Sequence, residues 1–219
     1  LVAGAIIMLS GFFLGHWTHW VIPFACVAAV IVWRMLAQMA ARDGRRYGDV
    51  LTDILVTGFV PLYLPFLASL ALVLLRQDQG ELWVLGMLIV VVAADTGAYA
   101  SGLAFGSHPM APRISPKKTW EGFAGGALAT TIAAVLYTMF VLRAPWWVGL
   151  VFGVVILGCA TVGDLGESMI KRDLGIKDMS SWLPGHGGVL DRLDSILPSA
   201  GAALALYFLF SPLVGLVGA

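Results

Sequence analysis

Asp164, Glu167, Ser168, Lys171 and Arg172 occur at offsets 0, 3, 4, 7 and 8, a spacing that places them on one face of an α-helix. Met169 and Ile170 fall largely off that face. The carboxylates lead and the cations follow one to two turns later. Downstream come Lys177-Asp178, then Pro184-Gly185-His186-Gly187-Gly188, then Asp191-Arg192-Leu193-Asp194. Asp191 and Asp194 are three apart and point the same way on a helix. The glycines let the backbone approach an anion and offer it N–H groups. Together these residues suit Mg²⁺-dependent work on phosphates. Mg²⁺ takes one or two carboxylates and completes its shell with phosphate oxygens and water, and Lys and Arg neutralise charge that develops in phosphoryl or nucleotidyl transfer. The plain alternative is a set of surface salt bridges, each worth at most ~1 kcal/mol. It does not explain why the charges crowd together in a chain so poor in charge elsewhere.

Other chemistries find less support. His186 has no His or Cys partner at ligand spacing, and His16 and His19 sit among tryptophans. Cys26 and Cys159 lie inside apolar runs and form neither a disulfide framework nor a C-x-x-C site. No G-x-S-x-G nucleophile elbow is present.

Two more segments carry isolated charge. Asp95, in Ala94-Asp95-Thr96-Gly97-Ala98-Tyr99, lies within an apolar stretch, where a carboxylate costs ~2.5–3.5 kcal/mol or more on insertion scales. It is expected either to face a polar cavity or to be a neutral acid bonded to a neighbouring helix; Tyr99, four residues on, shares its face. The run Pro112-Arg113-Ile114-Ser115-Pro116-Lys117-Lys118-Thr119-Trp120-Glu121 reads as a stiff basic loop whose Thr119 caps the helix that follows. Its lysines serve either as orientation determinants or as a cradle for a triphosphate or lipid phosphate.

The elements that position these groups follow from composition. Of 219 residues, 59% are hydrophobic and 12% charged, against ~25% charged in an ordinary soluble domain. Equal numbers of acidic and basic residues, 13 each, exclude a nucleic-acid binder driven by overall positive charge. The fold class expected is all-α, a polytopic transmembrane helical bundle forming one catalytic domain over 1–219. About seven spans are expected, at roughly 1–14, 20–40, 50–75, 82–105, 121–142, 145–163 and 195–217. The third carries Pro61 and Pro65 and is either kinked or split. Gly122 and Gly126, and Gly149 and Gly153, form two G-x-x-x-G pairs, read as packing seams within the chain rather than a dimer interface.

Eleven of the 13 Lys and Arg fall in alternate loops: Arg34 to Arg46, Arg113 to Lys118, and Lys171 to Arg192. Only Arg76 and Arg143 lie on the other side. By the positive-inside rule the three basic loops are cytoplasmic and the C-terminus is outside. Trp17, Trp20, Trp83, Trp146 and Trp147 then form an aromatic belt at the outer interface. The chain opens at Leu1 without a Met or a basic n-region, so it is expected to begin part-way through a longer product.

The run from Ser168-Met169-Ile170-Lys171-Arg172 through Lys177-Asp178-Met179-Ser180 to Leu183-Pro184-Gly185-His186-Gly187-Gly188-Val189-Leu190-Asp191-Arg192-Leu193-Asp194 resembles, without departure, the signature of the phosphatidate cytidylyltransferases (CDP-diacylglycerol synthases). Asp95 to Tyr99, Ser115 to Glu121 and Gly163-Asp164 resemble further segments of that family. The resemblance runs from about residue 90 to the C-terminus and more loosely before it, within which 164–195 is the signature region. It implies about two further spans before Leu1.

The resemblance also implies a homodimeric, all-helical inner-membrane enzyme that converts CTP and phosphatidate to CDP-diacylglycerol and pyrophosphate, with its site at the cytoplasmic interface. Mg²⁺ is the expected cofactor, with a second monovalent or divalent cation to be considered, and CTP, phosphatidate and the bilayer are the expected partners. Asp164, Asp191 and Asp194 are expected to bind metal, supported by Glu167 or Asp95, with Asp164, Lys171, Asp191 and Asp194 as the catalytic set. Lys171, Arg172, Lys177 and Arg192 are expected on phosphates, Lys117 and Lys118 on the triphosphate or phosphatidate head, and His186, Gly187 and Gly188 in the nucleotide loop. Two rivals use related residues. An aspartate-motif prenyltransferase would want paired D-x-x-x-D motifs, and an ion-coupled transporter would use Asp95 but has no need of a Gly-His-Gly-Gly loop.

Overall fold

The computed structural model describes residues 2–13, 16–40, 47–112, 114–176 and 193–215. Among them, six helical stretches are long and apolar enough to cross a membrane, Trp20–Ala37, Ile54–Leu75, Gly80–Phe105, Trp120–Phe140, Trp146–Asp173 and Ile196–Leu213. Val2–Phe13 is a shorter apolar helix. The polytopic all-helical architecture therefore stands, and the chain is a membrane protein. The chain divides into two compact units, Leu1–Gln77 and Asp78–Ala219.

In the first unit, α1 (Val2–Phe13) packs against α2 (His16–Ala40) and α4 (Leu67–Leu75), and α3 (Tyr47–Pro61) packs on α2. Gly58 makes the last contact close, since a Cβ there would lie 2.9 Å from Ile31 Cδ1. The third span, with Pro61 and Pro65, is one continuous helical stretch, Ile54–Leu75, rather than two separate pieces. Pro61, in helical conformation, leads into a π-helical turn, Leu62–Phe66, that runs straight into α4. Pro65 has no N–H for the regular ladder, and a wider i→i+5 turn accommodates the missing bond.

The second unit is a bundle of α5 (Gly80–Phe105), α6 (Trp120–Phe140), α7 (Trp146–Asp173) and α8 (Ile196–Phe210). Small residues join the first three. A Cβ on Gly126 would lie 2.9 Å from the Ala94 carbonyl, one on Gly122 3.0 Å from the Ala98 carbonyl, and one on Gly97 2.6 Å from Ala129 Cβ. Gly149 and Gly153 of α7 meet Ala134, Val135 and Thr138 of α6 in the same way. Both G-x-x-x-G pairs are thus used inside the chain, as van der Waals seams between antiparallel helices. At the far end Trp83 fills the bundle, 1% exposed, edge-on to Phe152 of α7 at 5.7 Å and to Tyr207 of α8 at 5.6 Å. The Tyr137 hydroxyl donates to the Leu82 carbonyl at 2.7 Å.

Trp83 corrects the belt assignment: it is a core residue, whereas Trp20, Trp146 and Trp147 are exposed. An indole on a helix that is apolar all round can face lipid or neighbour equally well, and here three aromatic rings make the better packing.

The basic segment expected as a loop is a two-stranded antiparallel ribbon. β1 (Pro109–Ala111) pairs with β2 (Ser115–Thr119), with Pro109 opposite Thr119 and Ala111 opposite Ser115. Pro116 is tolerated because a two-stranded ribbon has only edges.

Candidate active site

The end of the second bundle where α5 finishes and α6 begins holds a cavity of about 460 Å³. Its walls come from α5 (Asp95, Tyr99, Leu103), the ribbon (Met110, Lys117, Lys118), the start of α6 (Gly122, Phe123, Gly126) and α7 (Leu157, Thr161, Asp164). The lining is mostly apolar, with ionisable groups from three separate elements. The small-residue seam creates the space: with no side chains on Gly122 and Gly126, the helix backbones touch and the larger groups point into the gap.

Lys118 is placed by a stack of local contacts. Thr119 caps α6, its Oγ1 accepting from the Gly122 N–H at 3.1 Å, as its position ahead of the apolar run implied. Glu121, in the first turn, accepts from the backbone N–H groups of Ser107 and His108, each at 3.2 Å, and meets His108 Nδ1 at 2.5 Å. The Trp120 N–H donates to the His108 carbonyl at 3.0 Å. The ribbon is thereby clamped to α6 at its base. Its turn is tied to α7 as well, where Arg172 Nε donates to the Ile114 carbonyl at 3.1 Å. Sequence reasoning assigned Glu121 no role. An acid two residues after a capping threonine was the available signal, and its partners in the loop before β1 were not visible.

From this ribbon Lys118 Nζ reaches Asp164 Oδ2 in direct ion-pair contact, with side chains 25% and 31% exposed. Asp95, on α5, lies within electrostatic reach of both. Asp95 faces a cavity, but one whose lining is mostly apolar, and Tyr99 lines it too.

One turn further along α7, Glu167 is wholly buried and pairs with Lys171 Nζ at 3.1 Å. The polar face at 164–172 is therefore a continuation of the α7 span turned partly inward, not a stripe lying on a surface. Asp194 approaches from the turn before α8. Gly163 permits this, since a Cβ there would collide with the Asp194 carbonyl and lie 2.7 Å from Pro198 Cγ. Burial, and then the negative charge of Asp164, push the Asp194 carboxyl up to about 6. The Ser195 N–H and hydroxyl, donating to Asp194 Oδ1 at 2.7 and 3.3 Å, and Lys171 oppose that rise.

The structure thus brings together Asp95, Lys117, Lys118 and Asp164 around the cavity, with Glu167, Lys171, Arg172 and Asp194 at its α7 side. Lys177, His186, Gly187, Gly188, Asp191 and Arg192 lie outside the described residues. Among the described residues no three Asp, Glu, His or Cys side chains form a metal-ligating group. Mg²⁺ does not need three: one or two carboxylates completed by phosphate and water suffice, and Asp164, with Asp95 and Asp194 near it, offers hard oxygen donors of that kind. Glu167 is engaged by Lys171 instead.

A family model described as the cytidylyltransferase family matches residues 1–210. A phosphatidate cytidylyltransferase of Mycobacterium bovis is 41% identical over 202 residues, covering 85% of this chain and 65% of the relative. That of Mycobacterium leprae is 43% identical over 187 residues, covering 82% and 60%, and that of Haemophilus influenzae 44% over 137 residues, covering 60% and 47%. The chain thus spans 60 to 65% of the length of the mycobacterial relatives it matches. With the model matching nearly its full length, the chain belongs to the cytidylyltransferase family.

Proposed function

We propose that this chain carries the catalytic region of a phosphatidate cytidylyltransferase, which transfers CMP from CTP to phosphatidate and releases pyrophosphate. One observation carries the reading beyond family membership: an apolar cavity among membrane helices has Asp95, Lys118 and Asp164 on its walls. An amphiphile with a phosphate head and hydrocarbon tails requires that combination, charge for the head beside a route for the tails that stays in lipid.

In the reaction a phosphate oxygen of phosphatidate attacks the α-phosphorus of CTP. The bond from the α-phosphorus to the bridging oxygen breaks, and pyrophosphate leaves with the electron pair. The lipid phosphate is already anionic at neutral pH, so no side chain need act as nucleophile or strong base. The protein's task is to bring two polyanions together and hold them in line. Lys117, Lys118, Lys171 and Arg172 supply positive charge, and the clamped ribbon fixes where the first two stand. Asp164, with Asp95 or Asp194, would hold Mg²⁺, which when bound neutralises phosphate charge and polarises the α-phosphorus. Distribution of Lys and Arg supports a cytoplasmic opening for this end, and the family resemblance supports a homodimer.

Detergent-purified protein supplied with phosphatidate, Mg²⁺ and CTP labelled at either the α- or the γ-phosphorus tests this directly. The α-label is expected in a CDP-lipid and the γ-label in pyrophosphate. Label remaining in CTP, with use of an isoprenyl diphosphate instead, would establish the rival prenyl transfer.

A further inference from the structure

Lys118 and Asp164 stand 46 residues apart in sequence, on different elements, yet meet in direct ion-pair contact on the cavity wall. The backbone at Lys118 is fixed by the ribbon, the Thr119 cap and the Glu121 clamp. Its four-carbon stem is not, and a lysine ammonium can swing between partners without any movement of the strand. Asp164 Oδ2 is also the kind of hard oxygen a divalent cation requires. A divalent ion bound to this carboxylate would stand a few ångströms from the ammonium, and the two cations would repel each other steeply in an apolar cavity.

We propose that Lys118 is a resident counter-cation that neutralises Asp164 in the resting site, is displaced when a divalent ion arrives, and is thereby released to the polyphosphate. Before substrate binds, the pair spares the apolar cavity an unpaired carboxylate. Once metal occupies Asp164, the freed ammonium lies within a side chain's length of the phosphates that the metal brings. Metal loading and phosphate capture are coupled through one side chain, and Lys118 acts as a positioning residue for the ion as well as a phosphate contact. This builds on the nucleotidyl-transfer reading, but its first half concerns the metal alone.

The test is Mn²⁺ binding to the whole purified chain, free of nucleotide and followed by electron paramagnetic resonance. Lys118→Met removes the competitor and is expected to bind Mn²⁺ about fivefold more tightly than wild type. Lys118→Arg keeps a cation in place and should stay within about twofold of wild type. Lys117→Met removes the same charge one residue away and should also stay within about twofold. Asp164→Asn should bind most weakly. Thermal unfolding confirms that each variant is folded, and Lys118→Gln, which preserves the polar end, replaces the methionine variant if that one is not.

Unchanged or weaker Mn²⁺ binding on loss of Lys118 overturns the proposal. So does equal tightening in Lys117→Met, which would reduce the effect to general charge. Failure of the wild type to form CDP-lipid would remove the proposed activity and leave the Mn²⁺ ordering to be judged separately.

Discussion

The two ends of the α5–α8 bundle solve opposite problems with the same helices. At one end Trp83, Phe152 and Tyr207 meet edge to face and leave no room. At the other, glycines and alanines bring the backbones of α5 and α6 into contact, and the space beside the seam is a cavity walled by Asp95, Lys118 and Asp164. Bulky residues fill the bundle and hold it. Small ones hold it by backbone proximity, which frees the surrounding positions for charge. Stability and chemistry are thereby separated along about 30 Å of helix, the length of a 20-residue span.

Substitutions at the two ends should fail in different ways. The largest effect is expected for Asp164→Asn, which should lower CDP-lipid formation by about a hundredfold or more while leaving the thermal midpoint within a few degrees of wild type. Trp83→Ala should do the reverse. Removing a fully buried indole costs about 3–5 kcal/mol, read as a lower unfolding midpoint in detergent, while the KM for CTP of the folded fraction is unchanged. Gly126→Val sits between them. A Cβ there lies 2.9 Å from the Ala94 carbonyl, so α5 and α6 must separate, with a stability loss of about 1–3 kcal/mol and a higher KM because the cavity wall shifts.

The smallest effect concerns Asp194. Its carboxyl is raised to about 6 by burial and by Asp164, so the folded state favours the protonated form. That contribution to stability is present at low pH and lost as pH rises through about 6. With metal chelated, Asp194→Asn should therefore gain midpoint over wild type between about pH 5 and pH 7.5, and the gap should close below about pH 4. A gap that widens toward acid would show that Asp194 is held charged instead.

Much of the architecture could be read from the chain because it depends on local rules. The apolar runs are long enough to span, Thr119 precedes an apolar helix, and the paired glycines recur every four residues, so spans, cap and seams follow. Tertiary choice was harder to see. Trp83 lies on a helix with no polar face, so nothing in its neighbours' types distinguishes lipid from core. Glu167 shares the 164–172 face with Asp164, and only the fold shows one turned into the bundle against Lys171 and the other toward the cavity. The partnership of Lys118 with Asp164 joins two motifs that the sequence displays separately. The ribbon and the π-turn both arise at prolines, which announce irregularity without specifying its form.

The contrast between the ends is tested most directly by finding where the lipid phosphate sits. A phosphatidate bearing a photoreactive group beside its phosphate would be irradiated with the purified protein and the adducts mapped by mass spectrometry. Adducts are expected on residues lining the cavity, in 94–103, 117–126 and 157–164, and excess CTP with Mg²⁺ should alter their yield. Adducts concentrated around Trp83, Phe152 and Tyr207 instead would contradict the assignment of chemistry to the small-residue end.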